Sequence, residues 1–142
     1  RSEPVSPHVF ASRAPTTAVV HFGVTVAART LITVPKGAKR GDIIEIRALV
    51  QHPMETGYRR SAEGAMLPRD LIRTFSCRFV SASPSASNST GDVVFSATLH
   101  AAIAANPYLS FNLRSEVSGS LVFEWLGDNG FAHRETVALL VT

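Results

Sequence analysis

Residues 71–80 read Leu71-Ile72-Arg73-Thr74-Phe75-Ser76-Cys77-Arg78-Phe79-Val80, and their alternation decides the fold class. Leu71, Phe75, Cys77 and Phe79 fall on one face of an extended chain, with Thr74, Ser76 and Arg78 on the other. A period of two is the pattern of a half-buried strand. Arg73 interrupts the apolar face and is expected near the mouth of the strand.

The same period recurs on both sides of this stretch. Upstream, Thr30 to Val34 makes a short strand stopped by Pro35, and Lys36 to Asp42 makes a polar turn. Ile43 to Gln51 follows, with Ile44, Ile46, Ala48 and Val50 on one face and Glu45 and Arg47 on the other. A long connection from His52 to Asp70, with Pro53, Gly57, Gly64 and Pro68, leads into the deciding strand; loops of this length are usually functional or disordered. Downstream, Ser81 to Gly91 reads as a low-complexity, mobile hairpin loop. Val93, Phe95, Ala97 and Leu99 then mark the inner face of a fourth strand. After an alanine-rich turn over His100 to Ala105, Asn106-Pro107 returns the backbone to extended geometry. Tyr108 to Val117 is the fifth strand, with Leu109, Phe111, Leu113 and Val117 inward. The sixth carries Leu121, Phe123 and Trp125 inside. Gly127-Asp128-Asn129-Gly130 is a tight-turn signal, and Phe131 to Val141 is the seventh strand, with Val137, Leu139 and Val141 inward.

About seven short strands with turn signals between them and almost no helix predict an all-β, immunoglobulin-like sandwich. The expected division is a flexible N-terminal extension over residues 1–27 and one sandwich domain over residues 28–142. The extension is rich in Ser, Pro, Ala and Thr, and Val19 to Val26 is at most an added strand. Ala14 to Ala28 lacks formal charge and ends in small residues, but Thr16, Thr17, His21, Gly23 and Thr25 dilute it as an export signal. A flexible tail or an upstream start is the favoured reading.

Composition narrows the function classes. The chain has 142 residues, 45% of them hydrophobic and 18% charged, so it can bury a core without metal or disulfide. The net charge of +3 comes from scattered cations, not from a dense stripe with exposed aromatics, which argues against nucleic acid and for attraction to an acidic protein surface. No stretch is long and apolar enough to span a bilayer.

Catalytic patterns are missing. The histidines His8, His21, His52, His100 and His133 have no zinc-ligand spacing. Serine elbows and phosphate-binding glycine loops are absent. The single cysteine, Cys77, stands between Phe75 and Phe79 on their face and reads as a small core residue. No enzyme activity, metal or cofactor is therefore expected.

Two segments stand out: Gln51-His52-Pro53-Met54-Glu55-Thr56-Gly57-Tyr58 and Leu99-His100-Ala101-Ala102-Ile103-Ala104-Ala105-Asn106-Pro107-Tyr108-Leu109. Taken singly, each has a plain account as a corner, a solvated charge or a turn. Together, and in this order, with LPRDLIRTFSCRF between them, they resemble the SoxZ family along nearly the whole chain from about Ala28. The resemblance implies a sandwich that pairs with SoxY, a second sandwich carrying sulfur intermediates covalently on a cysteine in a flexible glycine-rich arm. That arm visits other periplasmic Sox enzymes during thiosulfate oxidation. The chain here ends at Val141-Thr142 without such a cysteine, so its expected role is to scaffold the arm of a SoxY-like partner in the periplasm, after co-export. A partner interface at His52, Met54, Glu55, Asn106 and Tyr108 is expected, because they occupy the motif segments. Alanine substitutions there should then weaken binding and leave the melting temperature nearly unchanged. Two departures from the family are the extra stretch before Ala28 and the long Ser81–Gly91 loop, expected to be a tolerated insertion. The competing reading is a free-standing immunoglobulin-like binding module.

Overall fold

The structure, a computed structural model, describes residues 29–83, 85 and 90–142. The extension over residues 1–27, its candidate strand and the tip of the Ser81–Gly91 loop lie outside the described residues. Among those described, seven strands follow one another: β1 (Thr30–Thr33), β2 (Ile43–Val50), β3 (Ile72–Ser81), β4 (Asp92–Thr98), β5 (Tyr108–Arg114), β6 (Gly119–Gly127) and β7 (Ala132–Leu139). They form two antiparallel sheets, β1-β2-β5 and β4-β3-β6-β7. No helix among the described residues is long and apolar enough to cross a membrane.

The core lies between the sheets, where the alternating residues meet. Ile44, Ile46, Ala48 and Val50 of β2 are all buried, as their spacing predicts. On the facing sheet, Phe75 pairs with Trp125, Cys77 with Phe123 and Phe79 with Leu121. The Phe75 ring stands 5.2 Å from Trp125 and 6.4 Å from Phe111 of the other sheet. Phe95 and Phe111 stack across the sheets at 4.4 Å. A fully buried side chain of this size stabilises by about 1.5–3 kcal/mol, so these rings dominate the packing. Cys77 is fully buried among them.

Two β-bulges correct the inward assignments. An extra residue at Arg73 shifts the β3–β6 register between Ile72 and Thr74. The parity therefore changes there: Ile72 is buried with Phe75, and Arg73 turns toward Asp128. A second shift pairs Cys77 with Phe95 but Arg78 with Val93, leaving Val94 as the extra residue. Val94 consequently packs on the core beside Phe95, and Val93, expected inside, is 49% exposed. An added residue in one strand reverses the facing of everything beyond it. Val117 was also expected inside and is exposed. β5 ends three residues earlier, where buried Ser115 turns the chain: its hydroxyl donates to Lys39 O at 2.7 Å, and its N–H to Asp42 O at 2.8 Å.

The edges are tied across the sandwich. Thr30 Oγ1 of β1 donates to Glu135 of β7 at 3.0 Å. Beyond Pro35 the chain crosses to the other sheet, and Ala38 pairs in parallel with Val141. The Ala38 N–H donates to Leu140 O at 3.0 Å, and the Thr142 N–H to Ala38 O at 2.9 Å.

Gly119 opens β6 at a point of close approach. A Cβ there would stand 2.3 Å from Val80 O and 2.7 Å from the Phe79 ring. Backbone on the neighbouring strand cannot give way as a flexible side chain would. Gly119→Ala is expected to lower the unfolding free energy by about 1–3 kcal/mol in urea denaturation; an unchanged midpoint would show that β3 and β6 separate freely at this point.

Candidate functional site

The two motif segments meet where β2 leaves the sandwich. The Val50 N–H donates to Pro107 O at 3.2 Å, and the Gln51 N–H to Arg29 O at 2.8 Å. His52 and Asn106 then exchange bonds: the His52 N–H donates to Asn106 Oδ1 at 3.0 Å, and the Asn106 N–H to His52 O at 2.8 Å. Asn106 has a φ of 55°, the left-handed region that asparagine enters more easily than most residues. Its side chain thus continues the β2–β5 pairing beyond Pro107, which has no N–H to contribute.

The other motif folds inward. His52 is 4% exposed, and its Nδ1 accepts from the Met54 N–H at 3.0 Å. In the neutral ring the proton is then on Nε2, which is buried without a hydrogen bond, 3.5 Å from Asp70 Oδ1. The imidazole meets the Phe131 ring at 4.9 Å, nearly perpendicular. Met54 is 5% exposed with a φ of 52°, and its Sδ accepts the Ile72 N–H at 3.3 Å beside the Arg73 bulge. Glu55 bridges to Asp70, whose N–H donates to Glu55 O at 2.8 Å. The Glu55 carboxylate takes Arg59 Nε at 3.0 Å.

A carboxylate fixes the neighbouring turn. Asp128 accepts from Arg73 Nε at 3.0 Å and the Leu71 N–H at 3.1 Å, with Arg69 Nε at 3.3 Å. The Arg73 hydrogen bond, above all, holds its carboxyl below the usual range. Among the described residues, no three or more His, Cys, Asp or Glu side chains are placed to hold a metal ion. Burial pushes the Cys77 thiol up to about 12.

The five candidate residues thus divide. His52 and Met54 have inward side chains that hold the loop, so they act on any surface only through its conformation. The expectation of an unchanged melting temperature is corrected for these two by their burial. Glu55, Asn106 and Tyr108 reach the surface, in two separate settings. Asn106 lines a shallow groove of about 260 Å³ with Arg29, Leu31, Leu49 and Gln51, and Tyr108 is paired beside Leu49. Glu55 belongs with Arg59 and Asp70. Leu31 and Leu49 were overlooked in the sequence, although Leu49 follows Glu45 and Arg47 on the outward parity, where an apolar residue is out of place.

Three substitutions test this construction. Asn106→Ala loses both the acceptor for His52 and the tolerance of positive φ, at an expected cost of about 2 kcal/mol. Asn106→Gly keeps the backbone freedom, so about 1 kcal/mol is expected; equal losses would mean that the φ carries no weight. Met54→Ala is expected to cost about 2–5 kcal/mol as a buried truncation. For Asp128→Ala, the sign follows from the lowered carboxyl: its contribution is present above the unfolded value of about 3.9 and is lost as pH falls through the lower folded value. The melting temperature of the variant should fall below wild type at pH 7, with the gap closing in acid; a constant gap would remove the ion pairs from the explanation.

Comparison with the solved structures finds the same sandwich in several proteins. The superoxide reductase (neelaredoxin) from Ignicoccus hospitalis superposes with a TM-score of 0.65 at 17% identity, over 90% of this chain and 93% of that one. A putative superoxide reductase from Thermotoga maritima gives 0.61 at 14% identity, over 80% of this chain and 85% of that one. The sulfur carrier protein SoxY from Chlorobium limicola f thiosulfatophilum gives 0.51 at 16% identity, over 80% and 78%. At these identities the likeness is one of fold. Comparison with the curated proteins finds no match. The family profile described as sulphur oxidation protein SoxZ matches residues 32–138, both motif segments included. Spanning that much of the sequence, the match settles the family: the chain belongs to SoxZ and is a protein of the Sox sulfur-oxidation system.

Proposed function

We propose that this chain is the non-catalytic subunit of a periplasmic sulfur-carrier complex, in which it holds a SoxY-like partner whose cysteine arm carries the covalent intermediates of thiosulfate and sulfur oxidation. The observation that carries this reading is the state of Cys77. A carrier thiol has to be exposed, readily ionised and mobile enough to enter several active sites. Cys77 is the single cysteine of the sequence. It is fully buried in the middle of β3, paired with Phe95 on one side and Phe123 on the other, with its thiol pushed up to about 12. At neutral pH such a group is a protonated core residue, so the sulfur chemistry of the system belongs to a partner.

Scaffolding asks for a rigid body with surface groups set on it. The ring-filled core provides the body. Glu55, Asn106 and Tyr108 are the proposed surface contacts, with His52 and Met54 as the positioning residues beneath them. The fold shared with SoxY suits two sandwiches joined through sheet faces, edges or end loops.

Mixing the chain with a SoxY protein from the same organism should give a 1:1 complex by size exclusion with light scattering, whereas a free-standing binding module gives none. Tyr108→Ala and Glu55→Ala should weaken that complex with little change in melting temperature. A maleimide should label Cys77 slowly in the native chain and fast in urea. Rapid native labelling, together with sulfane or sulfonate adducts on Cys77 by mass spectrometry, would overturn the reading.

A further inference from the structure

The outer face of the β1-β2-β5 sheet carries a row of apolar side chains that the sandwich does not use. Leu31 pairs with Leu49, and Leu49 with Tyr108, so the three lie on one rung across all three strands. Leu31 is 67% exposed and Tyr108 55%, with Leu49 half-buried between them. The next rung on the same face is Thr33, Arg47 and Ser110, and the one beyond holds Glu45 and Asn112. A sheet with one solvated face normally alternates polar residues outward along every strand. Here one rung departs from that rule in all three strands at once. It does so at the end of the sheet where Asn106 and Gln51 close the groove.

The opposite outer face is built differently. There Val93 and Val122 are separated by Arg78 in their own row, and Ser76, Glu124 and Arg134 form the neighbouring one. Glu124 and Arg134 close an ion pair across β6 and β7. Apolar residues on that sheet are thus divided by charges.

Charge indicates what the apolar row meets. Beside the row stand two arginines, Arg29 lining the same groove and Arg47 on the next rung, the latter paired with Glu45. Like charges across a contact are costly and opposite ones steer association. We infer that this face is the docking surface for the carrier subunit, and that the matching surface is an apolar strip flanked by carboxylates. This rests on the reading given under Proposed function and adds to it the face used and the chemistry of the surface it takes. Tyrosine and arginine, both present on this face, are residue types that concentrate binding energy at interfaces.

The test measures binding of the full chain to a SoxY protein from the same organism by calorimetry, with circular dichroism to verify folding. Leu31→Glu is expected to weaken binding by about tenfold or more, because it places a carboxylate against apolar surface and among like charges. Leu31→Lys should lose less, since its charge suits the partner. Leu126→Glu, on the opposite outer face, should stay within about twofold of wild type. No binding by the wild-type chain would remove the carrier reading itself. Wild-type binding with Leu31→Glu unaffected would overturn this surface while leaving that reading in place. Equal losses for the Glu and Lys variants would overturn the carboxylate-flanked partner. A wild-type homodimer abolished by Leu31→Glu would give the face to a second copy instead.

Discussion

Phe75 is where the two sheets are held to each other. Its ring contacts Phe95, Phe111, Phe123 and Trp125, drawn from three other strands on both sheets. Because side chains alternate along a strand, fixing one ring inward fixes the facing of its neighbours until a bulge intervenes. Cys77 goes inward with Phe75, and Arg78 goes outward. On the other sheet, Phe111 goes inward and Tyr108 outward, with Leu49 beside it. The buried thiol and the apolar outer row are two results of one packing constraint. A register slip by one residue would exchange them, and it would place Arg47 in the core.

Much of this was legible in the sequence, for a physical reason. Antiparallel strands with one buried face write their period of two directly into residue order, so β2, β3 and β6 could be read with their inner faces. The failures lie where that period breaks. Nothing in Asp92-Val93-Val94-Phe95 says which valine is the extra residue, because a bulge is decided by the partner strand. Val117 has the apolar character of a strand residue, yet the bonds of Ser115 to Lys39 and Asp42 end β5 first. Those contacts join positions some seventy residues apart, and a local pattern does not contain them.

The motif segments were legible as distinctive but not in their division of labour. Histidine and methionine after a core strand look equally suited to a surface or an interior. The structure turns both inward, because the Met54 N–H and the Ile72 N–H need acceptors at the corner and His52 Nδ1 and Met54 Sδ supply them. Buried donors without partners are costly, so a polar ring and a thioether serve here as backbone acceptors. Asn106 has the opposite arrangement: its bonds reach His52 although the residue itself is exposed. Residues of the two distinctive segments therefore include architectural ones, and their distinctiveness alone does not mark them as contacts.

The parallel pairing of Ala38 with Val141 has a mechanical consequence. Tension applied between Arg29 and Thr142 drags these two segments along each other in opposite directions. The bonds from Ala38 to Leu140, from Thr142 to Ala38 and from Arg40 to Thr142 are then loaded together rather than peeled one after another. A clasp loaded in shear resists extension far better than an unzipping hairpin. The bonds around Ala38 and Val141 are therefore strongest against pulling along the direction of their own two segments.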